Sequence, residues 1–130
     1  MAKLKAGNEL PSETQCKATL KAIADALYVI GGKWKLRIIV ALTDGDKRFN
    51  ELQRRVEGIS AKVLSTELKE LELNGFVRRS VFTGKPVIVE YELSEYAETL
   101  SDVLQSLSEW GAMHRETVKK SMRKKKPAIA

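Results

Sequence analysis

Between residues 31 and 86 the chain is cut at short intervals by turn chemistry: Gly31-Gly32, Asp44-Gly45, Gly58, Asn74-Gly75 and Thr83-Gly84-Lys85-Pro86. Glycine and asparagine accept the left-handed backbone that ends helices, and proline beside glycine makes a tight turn. The stretches between these breaks are too short for anything except small elements packed around one core. A chain of 130 residues has room for one ordinary domain, which excludes a multidomain enzyme with a separate cofactor-binding half.

Leu20, Ile23, Leu27 and Ile30 recur at three- and four-residue spacing and predict a helix from about Cys16 to Ile30, stopped by the glycine pair. A second helix, roughly Lys35 to Leu42, is apolar around most of its circumference and is expected to lie under other elements. Phe49, Leu52 and Val56 mark one face of a short third helix. Gly58-Ile59 then breaks the chain before Ser60, a good N-cap residue, and a fourth helix restarts at once. Its inner face carries Leu64, Leu68 and Leu71. The opposite face carries Lys62, Thr66, Lys69 and Leu73 with Ser65 beside them, while Glu67, Glu70 and Glu72 fall on the flanks. Negative charge is kept off one surface of a helix that contains plenty of it.

After Asn74-Gly75, Phe76 to Phe82 and the alternating Val87, Val89, Tyr91 and Leu93 predict a hairpin with Arg78 and Arg79 at its base and Lys85 at its tip, basic along its length. Ser94 is expected to cap a last helix whose apolar stripe runs Tyr96, Leu100, Val103, Leu104, Leu107, Trp110, Gly111, His114 and Val118. Such a helix is on the order of 35 Å long. A domain this small cannot cover it, so part of the stripe is expected to bury against a second copy. The predicted homodimer interface comprises Leu20, Ile23, Leu27, Leu100, Val103, Leu104, Leu107, Trp110 and His114.

The fold class that follows is mainly α with a small β-hairpin wing: a winged helix-turn-helix with N- and C-terminal dimerisation helices. Residues 1–15 are expected to form a flexible segment, 16–118 the domain, and 119–130 a basic disordered tail. In such a fold one helix enters the major groove of duplex DNA and the wing and helix N-termini hold phosphates. The base-contact candidates are Ser60, Lys62, Ser65, Thr66 and Lys69. The phosphate candidates are Lys33, Lys35, Arg48, Asn50, Arg78, Arg79 and Lys85. A winged-helix protein-interaction module with an incidental basic face is the alternative.

The charge distribution agrees with a polyanion partner. The net charge is +6, but residues 33–85 hold twelve basic and seven acidic residues, whereas residues 86–118 hold one basic and seven acidic. The last twelve residues hold six basic and no acidic ones, so the tail is either a DNA-gripping arm or a solubilising end. With one cysteine and one histidine, neither an internal disulfide, a cysteine-based zinc site nor Cys/His catalysis can be assembled. Glu90 and Glu92 have no pocket and Gly31-Gly32 is not a phosphate loop, so no enzyme is expected, and no cofactor or metal. No apolar run approaches the roughly 20 residues that cross a bilayer, and residues 1–11 lack a secretory core, so a cytoplasmic protein without a membrane partner is expected.

The resemblance that these features carry lies in Val29-Ile30-Gly31-Gly32-Lys33-Trp34, Arg48-Phe49-Asn50-Glu51-Leu52, Gly58-Ile59-Ser60-Ala61-Lys62-Val63-Leu64, Leu68-Lys69-Glu70-Leu71-Glu72 and Val89-Glu90-Tyr91-Glu92-Leu93. In this order and spacing, over about Leu20 to His114, the chain resembles the HxlR-type family of bacterial winged-helix transcriptional regulators. The resemblance implies a dimer formed through the N- and C-terminal helices, bound upstream of target genes as repressor or activator. It makes Ser60 to Asn74 the reading helix and Thr83 to Pro86 the wing tip, with Arg48, Phe49 and Asn50 opening the supporting helix and Phe49 itself core. Two departures stand out. Family members that sense oxidants carry a cysteine before a proline near the positions of Lys21-Ala22; here the only candidate redox sensor is Cys16, five residues earlier, with an inert thiol as the plainer reading. The wing tip keeps a single proline, Pro86. A small-molecule or redox effector stays open, and Trp34 is read as packing the junction of the first two helices.

Overall fold

The computed structural model describes residue 10 and residues 12–125. The first helix, α1 (Glu13–Ile30), begins three residues earlier than its apolar stripe suggests, because Ser12 and Gln15 form a reciprocal cap. Ser12 Oγ accepts from the Gln15 N–H at 3.1 Å and the Ser12 N–H donates to Gln15 Oε1 at 2.8 Å. The expected flexible segment is thus helical from Glu13, while residues 1–9 and 11 lie outside the described residues. The helix stops where foreseen. The Gly31 N–H still bonds the Leu27 carbonyl, a Cβ at Gly31 would collide with that oxygen, and Gly32 takes φ +92°.

Next come α2 (Lys35–Ala41), the short strand β1 (Lys47–Arg48), α3 (Phe49–Arg55) and α4 (Ala61–Leu73). Their apolar faces meet in one core: Ile38, Ile39 and Leu42 from α2 and its cap, Leu52 from α3, Leu64, Leu68 and Leu71 from α4, with Val56 and Ile59 from the break between α3 and α4. Trp34 and Phe49 pack at its edge, as read from the sequence. One exception is Val40, which is 52% exposed, so α2 is not covered on every side.

The hairpin strands are β2 (Val77–Phe82) and β3 (Ile88–Leu93), with β1 added to give a three-stranded antiparallel sheet in the order β1-β3-β2. Val77 pairs with Leu93 and Phe82 with Ile88; Lys47 pairs with Tyr91 and Arg48 with Glu90. Two residues are too few to leave an alternating signature, and β1 is not visible in the sequence. The wing is also less uniformly basic than expected. Its outer half exposes Val81, Phe82 and Val87 beside Lys85.

Ser94 does not cap an α-helix with its side chain. Its hydroxyl donates to the Gly75 carbonyl and its N–H to the Phe76 carbonyl at 2.9 Å, stapling the base of the wing. A 3-10 helix, Glu95–Leu100, follows, and only then α5 (Ser101–Lys125). Tyr96 stacks on Phe76 at 5.1 Å instead of joining the α5 stripe. Leu100 is buried in the subunit's own core, and Leu104 is half-buried against it, which corrects their assignment to a dimer interface. A second correction concerns the tail. α5 continues to Lys125, so residues 119–125 are helical where disorder is expected, in keeping with the favourable placing of cations at a helix C-terminus; residues 126–130 lie outside the described residues.

Candidate nucleic-acid interface

With Leu64, Leu68 and Leu71 held in the core, α4 must turn Lys62, Thr66 and Lys69 outward, and all three are exposed, with Leu73 on the same side. Ser60 stands at the N-cap, where its Oγ accepts from the Val63 N–H at 3.2 Å. Thr66 Oγ1 donates to the Lys62 carbonyl at 3.1 Å. Both hydroxyls are therefore oriented by their own helix, Ser60 keeping its proton and Thr66 its lone pairs for an outside group. Ser65 is half-buried at one edge. There it lines a crevice between helix and sheet with Leu68, Lys69, Glu72, Arg79 and Tyr91. The structure thus brings Arg79 to the same surface as Ser65 and Lys69, and adds Tyr91, which sequence alone does not single out.

Two of the three acids of α4, Glu67 and Glu70, are held from behind. Lys35 reaches across from α2, with Nζ 2.7 Å from Glu67 Oε2 and 3.1 Å from Glu70 Oε1. Its side chain is only 11% exposed. Burial alone would push the Lys35 ammonium down, but the hydrogen bonds to Glu67 and then Glu70 outweigh it, and its pKa is raised. Lys35 is consequently no phosphate contact: it is enclosed, and its charge is matched by two carboxylates.

Arg78 stands apart from the other candidates. Neighbouring strand residues point to opposite faces, so when Arg79 faces α4, Arg78 faces away. It pairs with Glu92 at 3.2 Å and lines a separate crevice with Ile39, Ser94 and Glu98. Lys47, a further contributor to the basic surplus of the middle segment, is also turned inward. Its Nζ lies 2.7 Å from Asp44 Oδ1 and 3.1 Å from the Gly45 carbonyl, and Arg55 meets the other Asp44 oxygen at 3.0 Å. The hydrogen bonds from Lys47 and Arg55 hold the Asp44 carboxyl down to about 2.

The remaining candidates are outward. Lys33 is exposed, its Nζ 4.7 Å from the centre of the Trp34 ring, with the Arg37 guanidinium 5.6 Å from the same ring. Arg37 carries no periodic or motif signal in the sequence and is recognised only from this stacking. Arg48 and Asn50 are exposed at the start of α3, but share their recess with Asp46, Glu51 and Glu90. Lys85 is exposed at the wing tip. Elsewhere, α1 exposes Leu20, Ile23 and Leu27, and α5 exposes Val103, Leu107, Trp110, Met113 and Val118. Trp110 and His114 stack in parallel at 4.8 Å. Cys16 is exposed near the start of α1 beside Lys17, which is paired with Glu13. Among the described residues no cluster of His, Cys, Asp and Glu could hold a metal ion, and no helix is long and apolar enough to cross a membrane.

A helix whose outward face carries Lys62, Thr66 and Lys69, with Glu72 at its edge, seated behind a two-helix support and flanked by a three-stranded wing, lies within residues 29–119, which match a known family model, the HxlR-like helix-turn-helix. The chain belongs to the HxlR-like family. Among its relatives, the HTH-type transcriptional regulator YtcD of Bacillus subtilis (strain 168) is 46% identical over 93 residues, which is 72% of this chain and 74% of YtcD. A crystal structure of ytcD superposes with a TM-score of 0.68 at 47% identity, covering 71% of this chain and 94% of that one. The redox regulator HypR in its reduced form superposes with a TM-score of 0.71 at 38% identity, covering 76% and 98%. The HxlR-like chain is therefore a transcriptional regulator of winged-helix type, and its relatives are regulators, not enzymes.

Proposed function

We propose that this HxlR-like regulator binds duplex DNA sequence-specifically as a homodimer, placing α4 in the major groove and the wing on the phosphate backbone. Lys62, Ser65, Thr66 and Lys69 read base edges, with Ser60 at the positive helix end. Lys33, Arg79 and Lys85 hold phosphates, and Arg48 and Asn50 approach the backbone at the start of α3. The observation that carries this reading is the sorting of charge on α4: its outward face holds lysines, while Glu67 and Glu70 are drawn onto the internal Lys35. A cationic outward face of this kind suits a polyanion partner. The dimer is supported by the apolar side chains that α1 and α5 leave uncovered.

The test is footprinting of the purified protein on DNA flanking its own gene, followed by comparison of Lys69→Ala on protected and random duplexes. Loss of about 1 to 3 kcal/mol confined to the specific site is expected of a base contact. Binding that is weak, equal on every sequence and confined to low salt would refute sequence-specific readout. For effector control a parallel is HypR, a redox regulator. Here Cys16 is the residue on which such control would act, and repeating the footprint with a thiol oxidant on wild type and Cys16→Ser tests it directly.

A further inference from the structure

The last turn of α4 carries a leucine for which the subunit has no use. Leu73 is 86% exposed, and no other large apolar side chain of α4 is left exposed. The helix ends without its help. The Gly75 N–H donates to the Glu72 carbonyl at 3.1 Å and the Phe76 N–H to the Leu71 carbonyl at 2.9 Å, with Gly75 at φ +84°, which is a Schellman closure. The apolar residues that seal such an end are Leu71 and Phe76, both buried in the core. The Asn74 side chain takes the Glu70 carbonyl at 2.9 Å. Lysine, glutamate or glutamine would serve an exposed position here as well, since their helix propensities match that of leucine.

The core fixes where this leucine points. At about 100° per residue, Leu73 lies within about 20° of both Lys62 and Thr66 and opposite Leu64, Leu68 and Leu71. The face assigned to the major groove therefore ends in an aliphatic side chain. In that groove the bases present hydrogen-bond donors, acceptors and one kind of apolar group, the C5-methyl of thymine. Against a donor or acceptor an aliphatic group displaces water and returns no hydrogen bond, which is unfavourable. Against a methyl, both surfaces leave water, which is favourable. Leu73 stands roughly 16 Å along the helix axis from Lys62, so the base it meets lies well away from those read at the helix N-terminus. We propose that Leu73 is a specificity-determining residue that reads a thymine methyl in each half-site, at the end reached by the C-terminal turn of α4. This rests on the major-groove reading above and names one of the bases it selects.

Footprinting decides the underlying reading first: if no defined sequence is protected, specific readout falls and the methyl contact with it. On a protected sequence, each thymine is then replaced in turn by deoxyuridine, which keeps every hydrogen-bonding group and deletes only the methyl. At one position in each half-site the replacement is expected to weaken wild-type binding about fourfold in a fluorescence-anisotropy titration, the effect of one buried methyl. Leu73→Ala should bind the thymine duplex several-fold more weakly than wild type, and at that position should bind the thymine and deoxyuridine duplexes within about 1.5-fold of each other. Leu73→Met, which keeps an aliphatic reach, should retain the discrimination. The salt slope of Leu73→Ala should equal that of wild type, because no phosphate contact is lost. Its urea midpoint should stay close to wild type, because the side chain is exposed in the subunit. A flat deoxyuridine scan, or a methyl effect that survives Leu73→Ala, would overturn the assignment while leaving specific binding by α4 standing. Unchanged DNA binding by Leu73→Ala would overturn it too and leave the leucine to a protein partner.

Discussion

Lys35→Met removes the cation that joins α2 to α4 while keeping a long apolar side chain in its place. Two carboxylates then lose their counter-charge: Glu67, whose side chain is 18% exposed, and Glu70, which is 50% exposed. Breaking a buried pair by deleting one partner costs about 3 to 5 kcal/mol, because the surviving charge is left uncompensated. Glu70 can turn to water, so the burden falls mainly on Glu67, and a loss of about 2 to 3 kcal/mol is expected. That is a large share of the 5 to 15 kcal/mol typical of a domain. Lys35→Met with Glu67→Gln removes the stranded charge and should recover most of the loss, since a neutral replacement for a buried pair is often close to neutral in stability. Urea unfolding followed by circular dichroism reads both, at a single protein concentration so that any self-association enters each measurement alike.

The sign of the pH dependence provides a second readout. The folded pKa of Lys35 is raised above its ordinary 10.5. The stabilisation is therefore complete below the unfolded value and is lost as pH rises through the folded one, so the gap between wild type and Lys35→Met should close only in strong alkali. A Lys35→Met protein within about 0.5 kcal/mol of wild type, or a double variant no better than the single, would refute the clamp between α2 and α4.

Leu68→Ala empties a site that is 2% exposed at the centre of the core and should lower stability by about 2 to 5 kcal/mol in the same urea assay. The Asp44 carboxyl, held down to about 2 by Lys47 and Arg55, contributes stability above the ordinary carboxylate pKa and loses it as pH falls through about 2. A carbon-detected NMR titration should find its midpoint there in wild type and clearly higher in Lys47→Met. Lys85→Ala at the wing tip should weaken binding to specific and random duplexes alike, in contrast to Lys69→Ala, in a fluorescence-anisotropy titration.

Much of the scaffold was legible because its causes are local. Leucines at helical spacing, Gly31-Gly32, Asn74-Gly75 and the Ser60 cap each act within a few residues, and the elements stand where those signals put them. Misreadings came from long-range partners. Ser94 looks like a helix cap, yet its hydroxyl is claimed by Gly75, nineteen positions away. Lys35 looks like a surface cation until Glu67 and Glu70 arrive from α4. Leu100 and Leu104 share the stripe of Val103 and Leu107, but a stripe does not say where a subunit's own core ends and uncovered surface begins. The helical end of α5 was hidden for a different reason: a run of lysines reads as solvated charge, whereas the macrodipole at a C-terminus favours that charge.

These long-range pairings change what the basic surplus of the middle segment means for DNA. Sequence counting offers seven phosphate candidates for each subunit, but Lys35 is committed to Glu67 and Glu70, and Arg78 to Glu92 on the face turned away from α4. Each phosphate neutralised contributes about 0.9 to the slope of log affinity against log salt. Lys33→Ala, Arg79→Ala and Lys85→Ala should therefore each flatten the slope by about one unit for every half-site they serve. Arg78→Ala should leave it unchanged, and Lys35→Met should lower affinity without flattening it, since it frees acids beside the reading face instead of removing a phosphate contact. A slope that falls with Arg78→Ala as much as with Arg79→Ala would mean that the two faces of the wing are not distinguished by the duplex, and the placement of α4 against it would have to be redrawn.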